Sequence, residues 1–318
     1  MALDDATTQF LGQMSAPGAK PIHEMTPAQA RELGGLLREM YGPGPDVGAA
    51  RELVAPGPGG DIPVRVLSPE HPPRAVIVYF HGGGWVMGSL DEFDTLARKL
   101  VNATAATVVL VDYRLAPEHP YPAAALDAWA ALQWVDRNVE SIAGASVPLI
   151  VAGDSAGGNL AAVVSQRATR EGGPTISQQV LIYPVTDCDL DTASYLESAN
   201  QLMVSRDSMV WFWDHYTPDP STRANPDASP LRAPDLAGQP PAVIVTAEHD
   251  VLRDEGEAYA ERLRAAGVAV QHRRFPGQMH GFFTFVNVLP GADAAMSYVS
   301  GQINEHLSDQ PRTDVAVN

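Results

Sequence analysis

The chain has 318 residues, 45% of them apolar, with a formal net charge of −17 and a sequence pI near 4.8. So acidic a chain is unsuited to nucleic acid and to anionic membrane surfaces, which it repels; the charge reads as a solubility feature, with adaptation to salt as the alternative, since Lys20 and Lys99 are the only lysines. The single cysteine, Cys188, excludes an intramolecular disulfide and reads as a structural residue.

The first ten residues, MALDDATTQF, show neither a basic n-region nor an apolar h-region, and no apolar stretch reaches the roughly 18 residues of a spanning helix. A cytoplasmic protein with no membrane association is expected. Residues 1–50 read as helical and polar. Thr26 stands where an N-cap belongs, followed by Pro27 at the first helical position, and GPGPDVG (42–48) ends the helix. Beyond this point apolar runs alternate with helical windows. The strand-like runs are 62–68, 74–80, 106–113, 147–153, 178–184, 241–247 and 268–275. The helical windows are 91–103, 122–138, 157–171, 251–266 and 291–307. Strands that are apolar throughout and alternate with helices predict a mostly parallel sheet covered on both faces.

Residues 185–240 break that rhythm. They carry no strand pattern but hold the aromatic run MVWFWDHY (209–216). Long excursions from a compact domain are often functional, so this one reads as a cap over a site. The organisation expected is an N-terminal cap part (1–45), a core in two parts (46–184 and 226–307), a cap insertion (185–225) and a frayed tail (308–318).

In an open α/β sheet, ligands gather at the carboxyl ends of the strands. After the run 147–153 comes GDSAGG, a G-x-S-x-G pattern between a strand and a helix. A sharp turn there lifts Ser155 off the sheet, and small neighbours let helix and strand approach. A serine hydroxyl needs a base. His272 falls in a strand and His215 in the aromatic helix, whereas His280 (GQMHGFF) lies in a loop beyond the last strand run. The histidine needs a carboxylate to fix its tautomer. Glu248, Asp250, Asp254 and Glu255 all follow the run 241–247; Asp250 fits best, because Asp254 and Glu255 fall in the first turn of a helix, where the dipole alone favours them. The order Ser155, Asp250, His280 is that of α/β-hydrolases.

The oxyanion formed by serine attack needs donors placed in advance. HGGG (81–84) follows the strand run 74–80 and offers backbone N–H groups with no Cβ in the way; the N–H of Ala156, next to the nucleophile, is the complementary wall. His81 reads as a scaffold for the glycine loop. Asp112, Arg114 and Glu118 read as a structural group whose paired side chains tie a strand end to the loop beneath the site.

The chain resembles the bacterial hormone-sensitive-lipase family of carboxylesterases (family IV), in its GDSAG branch. The matching residues are HGGGW (81–85), DYRLAPEHPYPAA (112–124), GDSAGGN (153–159), YPVTD (183–187), LRDEG (252–256) and MHGF (279–282). The resemblance implies an α/β-hydrolase fold, with a mostly parallel eight-stranded sheet flanked by helices and a helical cap. It implies Gly83, Gly84 and Ala156 as oxyanion donors. Val251 stands where the family usually has proline, which should alter the turn and leave the carboxylate in place. Trp85, Met209, Trp213 and Phe282 are the residues expected to line an apolar substrate pocket. The reaction expected is hydrolysis of short- to medium-chain carboxylic esters through an acyl-enzyme, with no metal or organic cofactor, a small-molecule ester as partner and a homodimer as the candidate assembly. Amide or peptide cleavage by the same triad stays open, as does a non-catalytic ligand-binding role.

Overall fold

The computed structural model describes residues 2–14 and 20–309. In chain order its elements are α1 (Asp5–Met14), α2 (Pro27–Tyr41), β1 (Ala49–Gly57), β2 (Gly60–Ser68), β3 (Val76–Phe80), α3 (Leu90–Thr104), β4 (Thr107–Val111), α4 (Ala123–Arg137), α5 (Val139–Ala143) and β5 (Leu149–Asp154). There follow α6 (Ala156–Glu171), β6 (Ile176–Ile182), α7 (Ala193–Leu196), α8 (Arg206–Tyr216), β7 (Ala242–His249), α9 (Arg253–Ala265), β8 (Val270–Met279) and α10 (Pro290–Asp309).

The strands form one eight-stranded sheet in the order β1-β2-β4-β3-β5-β6-β7-β8. The pairs β1–β2 and β2–β4 are antiparallel, and every pair from β4 onward is parallel. This is the α/β-hydrolase fold that the motifs imply. The all-apolar strands have the cause inferred for them. In β3, Val76, Val78 and Phe80 point into one core cluster while Ile77 and Tyr79 point into the other, so neither face meets water.

The strand missing from the sequence reading is β1. It is an edge strand, mostly exposed, with Pro56 within it, and its sequence AARELVAPG lacks sustained alternation. β8 also runs four residues further than the run 268–275, to Met279, which puts His280 directly at a strand end rather than in a long loop. The Thr26 cap forms as expected: its Oγ1 accepts the Gln29 N–H (3.3 Å) and its own N–H donates to Gln29 Oε1 (3.0 Å). Residues 185–225 contain α7 and α8 and no strand. Of the expected tail, residues 308 and 309 close α10, and 310–318 lie outside the described residues.

Candidate active site

Four parallel strands, β3, β5, β7 and β8, end on the same edge of the sheet, and each is followed by a segment that carries chemistry. β5 runs into Ser155, which has φ 54° and ψ −118°, a region that non-glycine residues rarely adopt. The turn is held from both sides: Ser155 N–H donates to Ile182 O (2.8 Å), and Ser155 O accepts from Val185 N–H (3.2 Å). Its tightness explains Gly157, where a Cβ would collide with the carbonyl of Phe80 on the neighbouring strand.

Ser155 Oγ lies 3.0 Å from His280 Nε2, and His280 Nδ1 lies 2.7 Å from Asp250 Oδ2. A carboxylate only accepts, so Nδ1 carries the proton and Nε2 is left to accept the serine hydroxyl. The second carboxylate oxygen of Asp250 accepts Leu252 N–H at 2.8 Å. Val251 is buried in this turn, and with valine in place of proline the carboxylate still reaches the histidine. The His280 ring also packs against Tyr183, with centroids 4.6 Å apart.

The rival carboxylates face elsewhere. Asp254 accepts Ser194 N–H (2.7 Å) and the Arg253 guanidinium (3.1 Å). Glu255 accepts Thr186 N–H (2.6 Å), and burial raises its carboxyl well above the usual range. Glu248 accepts Gly277 N–H (2.7 Å). Of the other histidines, His272 bonds Thr246 in the sheet (3.0 Å), and His215 packs edge-on against Trp211 (4.4 Å).

After β3 the chain turns through Gly82, Gly83 and Gly84, with φ +108° at Gly83 and +60° at Gly84. A Cβ on Gly84 would run into the Phe212 ring of α8. Gly82 N–H is committed to Asp154 Oδ1 (3.0 Å), whereas the N–H groups of Gly83 and Gly84 have no partner among the described residues. Ala156 is the first residue of α6, so its N–H has no intrahelical acceptor. His81 lies beneath the loop as expected. Its Nδ1–H donates to Gly82 O (2.7 Å), its ring stacks on Tyr113 (4.4 Å), and burial lowers its pKa to about 4. It is therefore neutral at physiological pH.

A cavity of about 160 Å³ opens over Ser155 and His280. Its lining includes Ile22, Leu37 and Tyr41 from the N-terminal segment and Val204, Met209 and Phe212 from the 185–225 segment. Of the four pocket residues expected, Met209 lines it. Trp85, Trp213 and Phe282 do not: all three are fully buried in packed aromatic groups, Trp85 stacked on Tyr216 (4.0 Å) beside Trp213 (5.0 Å), and Phe282 against Phe275 (5.4 Å). The period of α8 turns Phe212 toward the cavity and Trp213 into the core.

Asp112, Arg114 and Glu118 do not pair with one another. Arg114 makes a two-pronged bond to the buried Asp127 of α4 (2.7 Å each), and Glu118 is held by Arg31 of α2 (2.6 and 2.8 Å). Arg31 also donates to Val86 O (2.8 Å) and Ala116 O (2.9 Å), which ties α2 to the end of the glycine loop. The sequence reading missed Arg31, and it missed Asp154, which accepts both Gly82 N–H and the Tyr79 hydroxyl (2.9 Å) and joins the Ser155 turn to the glycine loop. Full burial raises the Asp154 carboxyl to about 6, against the lowering effect of those two donors.

Residues 77–284 match a family model described as the alpha/beta hydrolase fold. The chain belongs to that family. Within this alpha/beta hydrolase family it falls in the hormone-sensitive-lipase-like branch named from its motifs. It is 47% identical over 240 residues to a protein named carboxylesterase NlhH of Mycobacterium tuberculosis, covering 74% of this chain and 75% of the relative. It is 36% identical over 256 residues to an ethyl acetate hydrolase of Pseudomonas putida, covering 78% and 80%. Among solved structures, a hyperthermophilic esterase from the archaeon Pyrobaculum calidifontis superposes with a TM-score of 0.89 at 38% identity, over 96% of this chain and 99% of that one.

Proposed function

We propose that this carboxylic ester hydrolase cleaves short- to medium-chain esters through an acyl-enzyme on Ser155. The observation that carries the reading is the chain Ser155 Oγ–His280 Nε2 (3.0 Å) and His280 Nδ1–Asp250 Oδ2 (2.7 Å) at the floor of an apolar cavity.

Ser155 Oγ attacks the ester carbonyl carbon while His280 Nε2 takes its proton. Asp250 holds the ring in the required tautomer and stabilises the imidazolium. The carbonyl oxygen becomes an oxyanion, for which Gly83, Gly84 and Ala156 supply backbone donors; each such donor is typically worth ~10²–10³ in turnover. The tetrahedral intermediate collapses, and His280 returns the proton to the departing alkoxide, releasing the alcohol. Water then attacks the acyl-serine with His280 as base, and the second collapse frees the acid and restores Ser155.

The size of the cavity supports a short substrate. The cavity of about 160 Å³ is close in size to one that takes a single benzene ring. The lining from residues 1–45 and 185–225 supports reading these two segments as one cap over the core parts 46–184 and 226–307. A substrate would be a small-molecule ester.

A panel of p-nitrophenyl esters from acetate to laurate, with p-nitroacetanilide as the amide counterpart, tests this reading. The expected result is a kcat/KM maximum at or below octanoate and far slower amide cleavage. A maximum at laurate, or comparable rates on the amide, would overturn it.

A further inference from the structure

Two carboxylates outside the proposed triad line the apolar cavity: Asp154, whose Oδ1 is taken by the Tyr79 hydroxyl and Gly82 N–H, and Glu92. Glu92 is the third residue of α3 and lines the same cavity as Ser155. Ser89, the helix N-cap, accepts Glu92 N–H (3.4 Å) and donates its hydroxyl to Glu92 Oε1 (3.1 Å). A Ser-x-x-Glu helix start ordinarily closes with the glutamate reaching back to the serine N–H. That return bond is not made here, and Oε2 has neither a hydrogen bond nor an ion pair among the described residues.

The surroundings make room for this group. Gly34 of α2 lies directly against the carboxylate, so a Cβ there would occupy its place. Glycine within a helix is disfavoured relative to alanine, yet α2 carries Gly34 and Gly35 side by side. Burial pushes the Glu92 carboxyl above its usual range, while the Ser89 hydroxyl and the Arg38 charge pull the other way. The Arg38 guanidinium makes its own hydrogen bond to Asp91 (3.1 Å). The cavity therefore presents a partly buried carboxylate with a free oxygen beside Phe93, Tyr41 and Phe285.

We propose that Glu92 is a specificity-determining residue and that the cavity takes esters whose end remote from the scissile bond carries an ammonium group. The inference rests on the ester-hydrolase reading above. A carboxylate withdrawn from water is stabilised by a counter-charge within hydrogen-bond reach. Phe93, Tyr41 and Phe285 line the same cavity, and aromatic rings attract cations. The net charge of −17 draws cations toward the site and repels anions. A purely alkyl chain end would dehydrate Oε2 and leave it unpaired.

The test compares isosteric pairs that differ only by ammonium for methyl: methyl 6-aminohexanoate with methyl heptanoate for the acyl side, and 6-aminohexyl acetate with heptyl acetate for the alcohol side. For each pair the ratio of kcat/KM, ammonium over methyl, is measured in the wild type and in Glu92→Gln. In one pair the ratio should fall about 10- to 100-fold in the variant, the range of one charge-assisted bond. A second readout needs no variant: hexylammonium should inhibit hydrolysis of p-nitrophenyl butyrate competitively and at least about tenfold more tightly than hexanol. Unchanged ratios in both pairs, or hexylammonium no tighter than hexanol, overturn the role of Glu92 while p-nitrophenyl butyrate is still hydrolysed. A wild type inactive on p-nitrophenyl butyrate overturns the ester-hydrolase reading itself.

Discussion

Asp250→Asn separates the proposed acid from its neighbours by a single atom. The carboxylate is held at both ends: Oδ1 accepts Leu252 N–H at 2.8 Å, and Oδ2 faces His280 Nδ1 at 2.7 Å. An asparagine there has one favourable orientation. Its oxygen must meet the Leu252 N–H, because an NH₂ would put donor against donor, so its NH₂ must face Nδ1. The imidazole then has to offer Nδ1 as an acceptor, which moves the ring proton to Nε2. An Nε2–H pointing at Ser155 cannot take the serine proton. The change costs little volume and adds no buried charge, so the fold and substrate binding should persist while turnover falls by ~10⁴, the size of the loss for the same substitution in a triad on another fold. Asp254→Asn is the control. It weakens an acceptor for Ser194 N–H at the start of α9, worth at most ~1 kcal/mol of helix stability, and should leave turnover within a few-fold of wild type. Stopped-flow hydrolysis of p-nitrophenyl butyrate by the three proteins, with thermal melts to show folding, decides it. A less than tenfold loss in Asp250→Asn, or a crippled Asp254→Asn, refutes the reasoning.

Gly84→Ala should lower kcat by ~10²–10³ with the protein still folded, because at φ +60° the new Cβ meets Phe212 and displaces a proposed oxyanion donor; unchanged kcat would exclude Gly84 from that role. Burial raises the Asp154 carboxyl in the folded chain to about 6 from its ordinary 3.8. The folded state therefore holds an extra proton between these values, and stability falls as pH rises through that window. Asp154→Asn keeps the acceptor and removes the charge, so relative to wild type it should gain about 2 kcal/mol between pH 4 and pH 8, read by urea denaturation at both; a pH-independent difference would contradict the assignment. Arg31→Ala removes donors to Val86 O, Ala116 O and Glu118, and should raise KM about tenfold by loosening α2 from the glycine loop; an unchanged KM would show that the anchor does not shape the pocket.

Much of the fold could be read from local pattern, because the parallel strands are buried on both faces and appear as unbroken apolar runs. β1 could not, since an exposed edge strand needs no apolar period and tolerates Pro56. The grouping of Ser155, Asp250 and His280, the proposed triad, was legible because the strand-ending turn at GDSAG restricts what can follow, and because Asp250 and His280 each stand at the end of a parallel strand. The pocket was less legible. Sequence shows that MVWFWDHY is aromatic but not which side of its helix faces the cavity, so it does not separate Phe212, which lines the cavity, from Trp213, which does not. Arg31 and Glu118 are 87 positions apart, and no local signal joins them. Glu92 had a signal, the Ser-x-x-Glu start of α3, but that pattern reads first as a helix cap; only the approach of Gly34 from another helix shows what the carboxylate faces.

The most direct test of the account is covalent. Incubation with a small p-nitrophenyl phosphonate, followed by peptide mass spectrometry, should place one phosphonyl group per chain on Ser155, with ester hydrolysis lost in proportion to labelling. Ser155→Ala should be folded, unlabelled and inactive. A label on any other residue, or ester hydrolysis persisting in Ser155→Ala, would contradict the claim that this turn holds the nucleophile.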